Sequence, residues 1–533
     1  MADSKNFSSL LRAAVPEDAG VDSKVIESFL RECDEKRLNM HSFMAVRGGK
    51  VAAECYWAPF RAEVPHAMFS FSKGITGTAI GFAVSEGLLS LDDKVAKFFP
   101  YKAQNAKQQA YHDSVTVRQL ITHKSGKKIS VTNDCEKNEW LENWLSTPFT
   151  CAPGEKFIYT SENIYMLSRI ISKLTGQTLT EYLTPRLFEP LEIEIPYWEK
   201  DHNGYDAGGW GLFFKTEDMA KVGMCYLNHG MYNGRQVIPA KWVEQATKRH
   251  VQQIPSVFNE DSGYGFQIFI QSDSLGTYSF NGLYSQFVVI FPKHDAVFVC
   301  TAGEPQEDVF MKLLWRHFPK AFTAAVPAEK NPADSKSLCE YISECENRRP
   351  AAAERQAQTE KEIDGMEISV RKKDNASVLG AGNHFMLSNK AGQIDSFKFS
   401  FADNCVRLEF QEKNSPKNVI EAGLDGSYRY SLLKLSALSV ETAAWGTWLD
   451  SRSFKLTVIP LQMAQYRELT FTFRKNGKVT VKSEAKPGFK DLFEFYMMFS
   501  GTRPGAVLKK ACGVVGSAAS LKLDPNLSGQ IKY

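Results

Sequence analysis

Phe69-Ser70-Phe71-Ser72-Lys73 leads into an apolar run, Gly74-Ile-Thr-Gly-Thr-Ala-Ile-Gly-Phe-Ala-Val84, whose pattern predicts a helix over about 71–88. On a helix the residue three positions on lies on the same face, so Lys73 can reach the Ser70 hydroxyl. A serine hydroxyl is a poor nucleophile until a base takes its proton. A lysine serves as that base only when partly desolvated, because losing its proton near neutral pH from a reference of about 10.4 costs roughly 4 to 5 kcal/mol. If Ser70 starts the helix, its own backbone N–H is among the free N-terminal donors and can face a developing oxyanion. The spacing alone decides nothing, since Ser125/Lys128, Ser369/Lys372, Ser431/Lys434 and Ser483/Lys486 repeat it. Context separates the first pair: it precedes the long apolar helix, and Gly74, Gly77 and Gly81 share a face that predicts close approach of another backbone. The competing reading is a core serine with a lysine stem laid along apolar surface.

Working outward, Ser42–Arg47, Gly48-Gly49 and Lys50–Tyr56 read as a hairpin over 42–56, the glycine pair supplying positive φ. Helical periodicity follows at 115–125, 162–185, Asp218–Leu227 and Pro239–Lys248. From 263 the pattern turns to short strands at Tyr264–Ile270, Thr277–Phe280, Phe287–Phe291 and Ala296–Cys300, closed by a helix near 306–318. Strands at both ends with helices between them imply an α+β domain, an antiparallel sheet flanked by helices with an inserted helical region, completed by its two sequence termini. Proline, alanine and charge make 326–362 a linker with a short helix near Leu338–Cys345. Beyond it, alternating segments such as Ser396–Phe401, Val406–Phe410 and Leu469–Phe473, with the Asn476-Gly477 turn, predict an all-β antiparallel sandwich or barrel. The expected organisation is 1–325, linker 326–362, and 363–533.

Composition narrows the chemistry. The chain has 533 residues, 43% hydrophobic and 12% aromatic, enough for two substantial cores. Lys plus Arg, 64, nearly balances Asp plus Glu, 61, so no global field points to nucleic acid or an anionic membrane. Met1-Ala-Asp-Ser-Lys-Asn6 lacks the basic and apolar regions of a secretory signal, and no run of about 18 apolar residues could span a bilayer. The ten cysteines show no CxxC and no paired spacing, which predicts reduced thiols and a soluble, cytoplasmic protein. Neither HExxH nor a His/Cys cluster is present, so no metal or other cofactor is expected. The expected partner is a small-molecule substrate; the sequence does not set the oligomeric state.

Three further segments carry a resemblance. Phe157-Ile-Tyr159-Thr-Ser161-Glu-Asn-Ile-Tyr-Met-Leu167 is similar to the Tyr-x-Asn segment of the serine β-lactamase and penicillin-binding-protein family, with class C β-lactamases, D,D-peptidases and family VIII carboxylesterases among its members. Val115–Gly126, ending Thr-His-Lys-Ser-Gly, resembles the helix that precedes that segment in the family. Ala207-Gly-Gly-Trp210-Gly-Leu-Phe-Phe-Lys-Thr-Glu-Asp218 and Tyr226–Pro239 are also family-like, and the matches run in order over about 10–320. The resemblance implies Ser70 as nucleophile, Lys73 as base and Tyr159 as the acid/base that shuttles the proton. A phenol beside an ammonium is biased toward its charged form, which suits that relay.

The chain departs from the family where lactam-processing members carry Lys-Thr-Gly. Here the aligned residues are Phe280-Asn281-Gly282, followed by Leu283 and Tyr284. Gly282 permits close substrate approach, and the resemblance implies that the Leu283 N–H completes the oxyanion pair with Ser70, but Phe280 cannot pair with a substrate carboxylate. Ser161 replaces the Asn of Tyr-x-Asn with a shorter group. Ser161, Phe280, Asn281, Gly282, Trp210 and Tyr284 are therefore the expected substrate-binding residues. Aromatics including Phe71 and Phe213 suggest an apolar rim, with plain core packing as the rival reading. The expectation is a serine esterase or amidase working through an acyl-enzyme. The alternatives are β-lactamase or D,D-peptidase activity, acyl transfer to an acceptor other than water, and a binding or sensing protein without turnover.

Overall fold

The computed structural model describes residues 10–128, 140–252, 254, 262–272, 276–370, 394–412, 416–435, 438–488 and 527–532. The Met1–Asn6 segment and Lys372 lie outside them. The chain divides into two units, 1–56 with 65–343, and 57–64 with 344–533.

In the first unit β1 (Met40–Arg47) and β2 (Lys50–Tyr56) form the expected hairpin, with Gly48 and Gly49 at φ +57° and +75°. Short ladders pair β3 (His66–Ala67) with β4 (Phe213–Phe214) and β5 (Met231–Tyr232) with β6 (Arg235–Gln236). The remaining strands are β7 (Gly263–Tyr264), β8 (Phe269–Ser272), β9 (Thr277–Gly282), β10 (Gln286–Phe291) and β11 (Ala296–Ala302). The main sheet is antiparallel in the order β2-β1-β11-β10-β9-β8-β7, so the amino-terminal hairpin zips onto the last strand, Met44 opposite Val299.

On one side α1 (Ser23–Glu35) packs against the closing helix, and Phe29 meets Phe43 and Phe298 of the sheet edge-on or tilted, at 5.6 and 5.7 Å. The other elements are α2 (Ser72–Ser85), α3 (Val95–Phe98), α4 (Ala106–Ser114), α5 (Val117–Ile121), α6 (Trp140–Ser146), α7 (Ser161–Thr175), α8 (Leu179–Leu183), α9 (Thr216–Leu227), α10 (Ala240–Ala246) and the closing helix α11 (Glu307–His317). Helix α2 is buried along nearly its whole length, packs against α7, and shares one core with α9 and the sheet.

The segment Tyr264–Ile270, expected as one strand, is instead a reversal between β7 and β8, with Tyr264 opposite Phe269. Gln267 sits at its tip with φ +65°. A continuous apolar run gives no sign of such a turn, because both arms are buried.

Helix α12 (Pro332–Glu346) lies mostly in the first unit, which runs to residue 343; the second unit then has α13 (Ala357–Ile363) and, among the described residues, ten strands from β12 (Glu367–Val370) to β21 (Leu527–Lys532). Their order is β15-β14-β13-β12-β21-β20-β19-β18-β17-β16, with β15 (Asn418–Gly423) also reaching β17 (Leu438–Trp448) at Gly423 and Trp445, which closes the sheet into a barrel. Inward positions alternate strictly along β19 (Tyr466–Phe473), where Leu469, Phe471 and Phe473 join the core. Residues 57–64 belong to this unit: the Arg61 guanidinium pairs with Glu441 and the Tyr428 hydroxyl donates to the Ala58 carbonyl at 3.4 Å.

Ser431/Lys434 and Ser483/Lys486 lie on strands β16 (Arg429–Leu435) and β20 (Lys478–Lys486), where residues three apart point to opposite faces. Neither can form the Ser–Lys contact that a helix allows.

Candidate active site

Ser70 is central in a single helical turn, Phe69–Phe71, that runs directly into α2. Phe69, just before it, has φ +47°, a conformation that costs a non-glycine residue about 1–2 kcal/mol. Ser70 is half-buried and Lys73 is buried. Lys73 Nζ lies 2.8 Å from Ser70 Oγ and donates to the Gly209 carbonyl at 2.7 Å. Burial pushes the Lys73 ammonium down to about 7, against an opposing pull from the Glu162 carboxylate. A lysine in that range is neutral in a sizeable fraction of molecules near neutral pH and can accept the serine proton.

The Gly209 carbonyl is held by close packing. A Cβ on Gly209 would lie 2.5 Å from the Ser161 carbonyl oxygen, and Thr76 Oγ1 of α2 donates to the Gly208 carbonyl at 2.8 Å. The glycine pair thus lies between α2 and the start of α7, and only glycine lets it pass. The face of α2 bearing the other glycines is covered differently at each turn. A Cβ on Gly74 or Gly81 would meet the Phe280 or Trp242 ring, at 2.1 and 2.4 Å, and only at Gly77 is the nearest neighbour backbone, the Phe266 carbonyl at 3.2 Å.

Tyr159 is half-buried, with its ring centroid 5.0 Å from Lys73 Nζ. Behind it the His123 ring lies 4.5 Å away, centroid to centroid. His123 is bracketed: Nδ1 accepts from the Thr160 N–H at 3.4 Å, and Nε2 is 3.2 Å from Gln267 Oε1. Those partners assign the Nε2–H tautomer. Burial, with Lys73 nearby, holds its pKa well below the usual range, so the ring stays neutral. Gln267 also donates to the Ile121 carbonyl at 2.5 Å and accepts from the Tyr264 hydroxyl at 3.1 Å. At the start of α7, Glu162 accepts from Thr160 Oγ1, and burial raises its pKa. Sequence reading did not single out His123, Gln267, Glu162 or Gly209; the positive φ of His123 and Gln267, +53° and +65°, leaves no local signal in non-glycine residues.

Of the expected substrate-binding residues, Ser161 is half-buried at the first position of α7. Gly282 ends β9 hard against the turn before Ser70, where a Cβ would come 2.2 Å from the Met68 carbonyl oxygen. Leu283 follows it, buried. Tyr284 is 2% exposed, its ring edge-on to Phe69 at 5.5 Å. Phe280 points into the core, its ring 5.5 Å from Phe71 and 5.0 Å from Tyr226. Asn281 is buried and accepts from Ser279 Oγ at 2.6 Å, while its Nδ2 has no hydrogen-bond partner among the described residues. Trp210 packs on Trp140 at 5.0 Å, and its carbonyl accepts from the Trp198 indole at 2.8 Å. Phe71 and Phe213 are buried. The aromatics expected at a rim are thus covered. Among the described residues no group of three or more His, Cys, Asp or Glu could hold a metal, and no helix is long and apolar enough to cross a membrane.

Comparison with known proteins shows what the chain is similar to. Over 288 residues, 50% of this chain and 73% of the relative, the sequence is 24% identical to the 6-aminohexanoate-dimer hydrolase of Paenarthrobacter ureafaciens. It is also 24% identical, over 298 residues, to an uncharacterized protein of Alkalihalophilus pseudofirmus, covering 48% of this chain and 82% of the other. An octameric penicillin-binding protein homologue from Pyrococcus abyssi superposes with a TM-score of 0.44 at 18% identity, covering 86% of this chain and 97% of that one. Residues 26–317, more than half of the chain, match the model of the beta-lactamase family, and the protein belongs to that family.

Proposed function

We propose that the protein is a serine hydrolase that cleaves an ester or amide through a Ser70 acyl-enzyme. The observation that carries the reading is a buried lysine with a pKa of about 7, its Nζ 2.8 Å from the hydroxyl of the serine in the helical turn that leads into α2. Ser70 Oγ attacks the carbonyl carbon as its proton passes to neutral Lys73. The N–H groups of Ser70 and Leu283 receive the oxyanion. Collapse of the tetrahedral species breaks the bond to the alcohol or amine, which leaves with the proton returned through Lys73 and Tyr159. Water then attacks the acyl-enzyme, gives its proton to the same relay and releases the acid.

A lactam-directed role has less support. Position 280, where lactam-processing members carry lysine, holds a buried phenylalanine. A cephalosporin reporter should therefore be turned over poorly beside simple esters.

The test is turnover of p-nitrophenyl esters of graded acyl length by wild type and Ser70→Ala, with intact-mass detection of the adduct. Ser70-dependent turnover with an acyl adduct is expected. Equal rates from the two proteins at every acyl length, with no adduct, would sink the reading.

A further inference from the structure

The loop after Gly282 is held in a conformation that its residues do not favour. Gly282 pairs with Gln286, so Leu283–Ser285 make the whole reversal, and Tyr284 and Ser285 have φ +62° and +67°. Two successive non-glycine residues in the left-handed region persist only where the surroundings fix them.

Gln286 does much of that fixing. Its side chain is buried and turns back under the loop, with Nε2 donating to the carbonyls of Leu283 at 3.1 Å, Tyr284 at 3.0 Å and Ala302 at 2.6 Å. Its Oε1 accepts from the Ala302 N–H at 3.3 Å, which sets the amide's orientation. From the other side Cys300 Sγ donates to the Ser285 carbonyl, Ser285 Oγ donates to the Glu304 carbonyl, and the Glu304 N–H donates to the Tyr284 carbonyl, each at 3.3 Å. The buried Glu307 carboxyl faces the N–H groups of Ser285 and Tyr284. The loop abuts the nucleophile segment twice, through Gly282 against the Met68 carbonyl and Tyr284 against Phe69.

We propose that Gln286 is a positioning residue for the oxyanion site: its amide pins the Leu283–Tyr284 peptides so that the Leu283 N–H stays aimed beside Ser70. This rests on the acyl-enzyme reading above. The Leu283 N–H is bounded on one side by the β9–β10 ladder and on the other by the peptides that Gln286 grips. Loss of that grip frees φ of Leu283 without touching Ser70, Lys73 or Tyr159.

The test combines hydrogen–deuterium exchange with kinetics on the full chain. In Gln286→Met, which keeps the side-chain length and loses the donors, exchange across 283–286 should rise while that of β1 stays unchanged. With a p-nitrophenyl ester, kcat should fall about 10- to 100-fold with KM within about threefold, the signature of a lost transition-state contact. A merely structural role would lower kcat only in step with the folded fraction. In wild type, a fluorophosphonate bonded to Ser70 should slow exchange across 283–286, a measurement that holds even if the variant does not fold. Unchanged loop exchange in labelled wild type, or a loosened loop with unchanged kcat in the variant, overturns the proposal. If Ser70 takes no label and supports no turnover, the acyl-enzyme reading fails and takes this proposal with it.

Discussion

The Phe280 ring fills the space that a Cβ on Gly74 would need, its nearest carbon 2.1 Å from that position. The helix that carries Lys73 is thus seated directly on Phe280, the residue that the sequence resemblance sets at the place of the lysine of lactam-processing members. Phe280 is 1% exposed, and truncating such a ring leaves a cavity. Phe280→Ala should cost about 3–5 kcal/mol in denaturant unfolding. At a temperature where it is folded, its KM for short p-nitrophenyl esters should stay within about twofold of wild type. A large rise in KM with unchanged stability would instead make Phe280 a wall of the substrate cleft.

The same residue shows where sequence reading ends. All six residues of β9 are buried, so no alternation distinguishes the face toward α2 from its opposite, and the side on which Phe280 falls depends on register alone. The Ser70–Lys73 contact was legible because helical spacing is local and the apolar helix follows at once. Likewise the Gly48-Gly49 hairpin and the alternating strands of the second unit follow from turn chemistry and period-two burial. His123 and Gln267 were not legible as a pair, since they meet only because the expected Tyr264–Ile270 strand reverses at a positive-φ glutamine. Residues 57–64 gave no sign of joining the barrel unit, because their partners Tyr428 and Glu441 lie far along the chain.

With Lys73 as the base of the proposed acyl-enzyme mechanism, it sets the pH dependence. Its ammonium is held down to about 7, and only the neutral amine can take the Ser70 proton. Activity should therefore rise with pH. For pre-steady-state acylation by a p-nitrophenyl ester, the rate should increase through an apparent pKa near 7 and level off above it. Lys73→Met should abolish acylation at every pH. A profile that is flat between pH 5.5 and 8.5 would show that proton uptake by Lys73 does not limit the step.

Gly209 offers a finer test of the same group. A Cβ there would meet the Ser161 carbonyl at 2.5 Å, so Gly209→Ala must shift the loop segment that presents its own carbonyl to Lys73 Nζ. Overpacking of this kind costs roughly 1–3 kcal/mol. A carbonyl bonds an ammonium better than an amine, so its retreat favours the neutral lysine. The rising limb of the pH–rate profile should move to lower pH while the plateau falls about tenfold or more through misplacement of the base. If the limb stays where it is in wild type, the Gly209 carbonyl is a spacer and not a partner that tunes Lys73.

Lys127 is a second buried lysine, in the helical insert of the first unit. Its Nζ donates to the Trp144 and Leu145 carbonyls at 2.5 and 3.1 Å, at the carboxyl end of α6, and lies 4.2 and 4.5 Å from the Trp144 and Phe149 ring centroids. No carboxylate among the described residues forms a salt bridge with it, and burial alone brings it down to about 7. In the unfolded chain a lysine titrates near about 10.4. Between those values the unfolded state binds more protons than the folded one, so the group makes stability rise with pH, by up to about 1.4 kcal/mol per pH unit. Below the folded pKa both states are protonated and this contribution to the slope disappears. Lys73, buried in the same way, contributes in the same window. Melting temperatures measured from pH 6 to 10 should therefore climb less steeply above pH 7 in Lys127→Met than in wild type, with the two curves parallel below it. Curves that stay parallel across the whole range would mean that Lys127 keeps an ordinary pKa, its ammonium satisfied by the two carbonyls and the flanking rings.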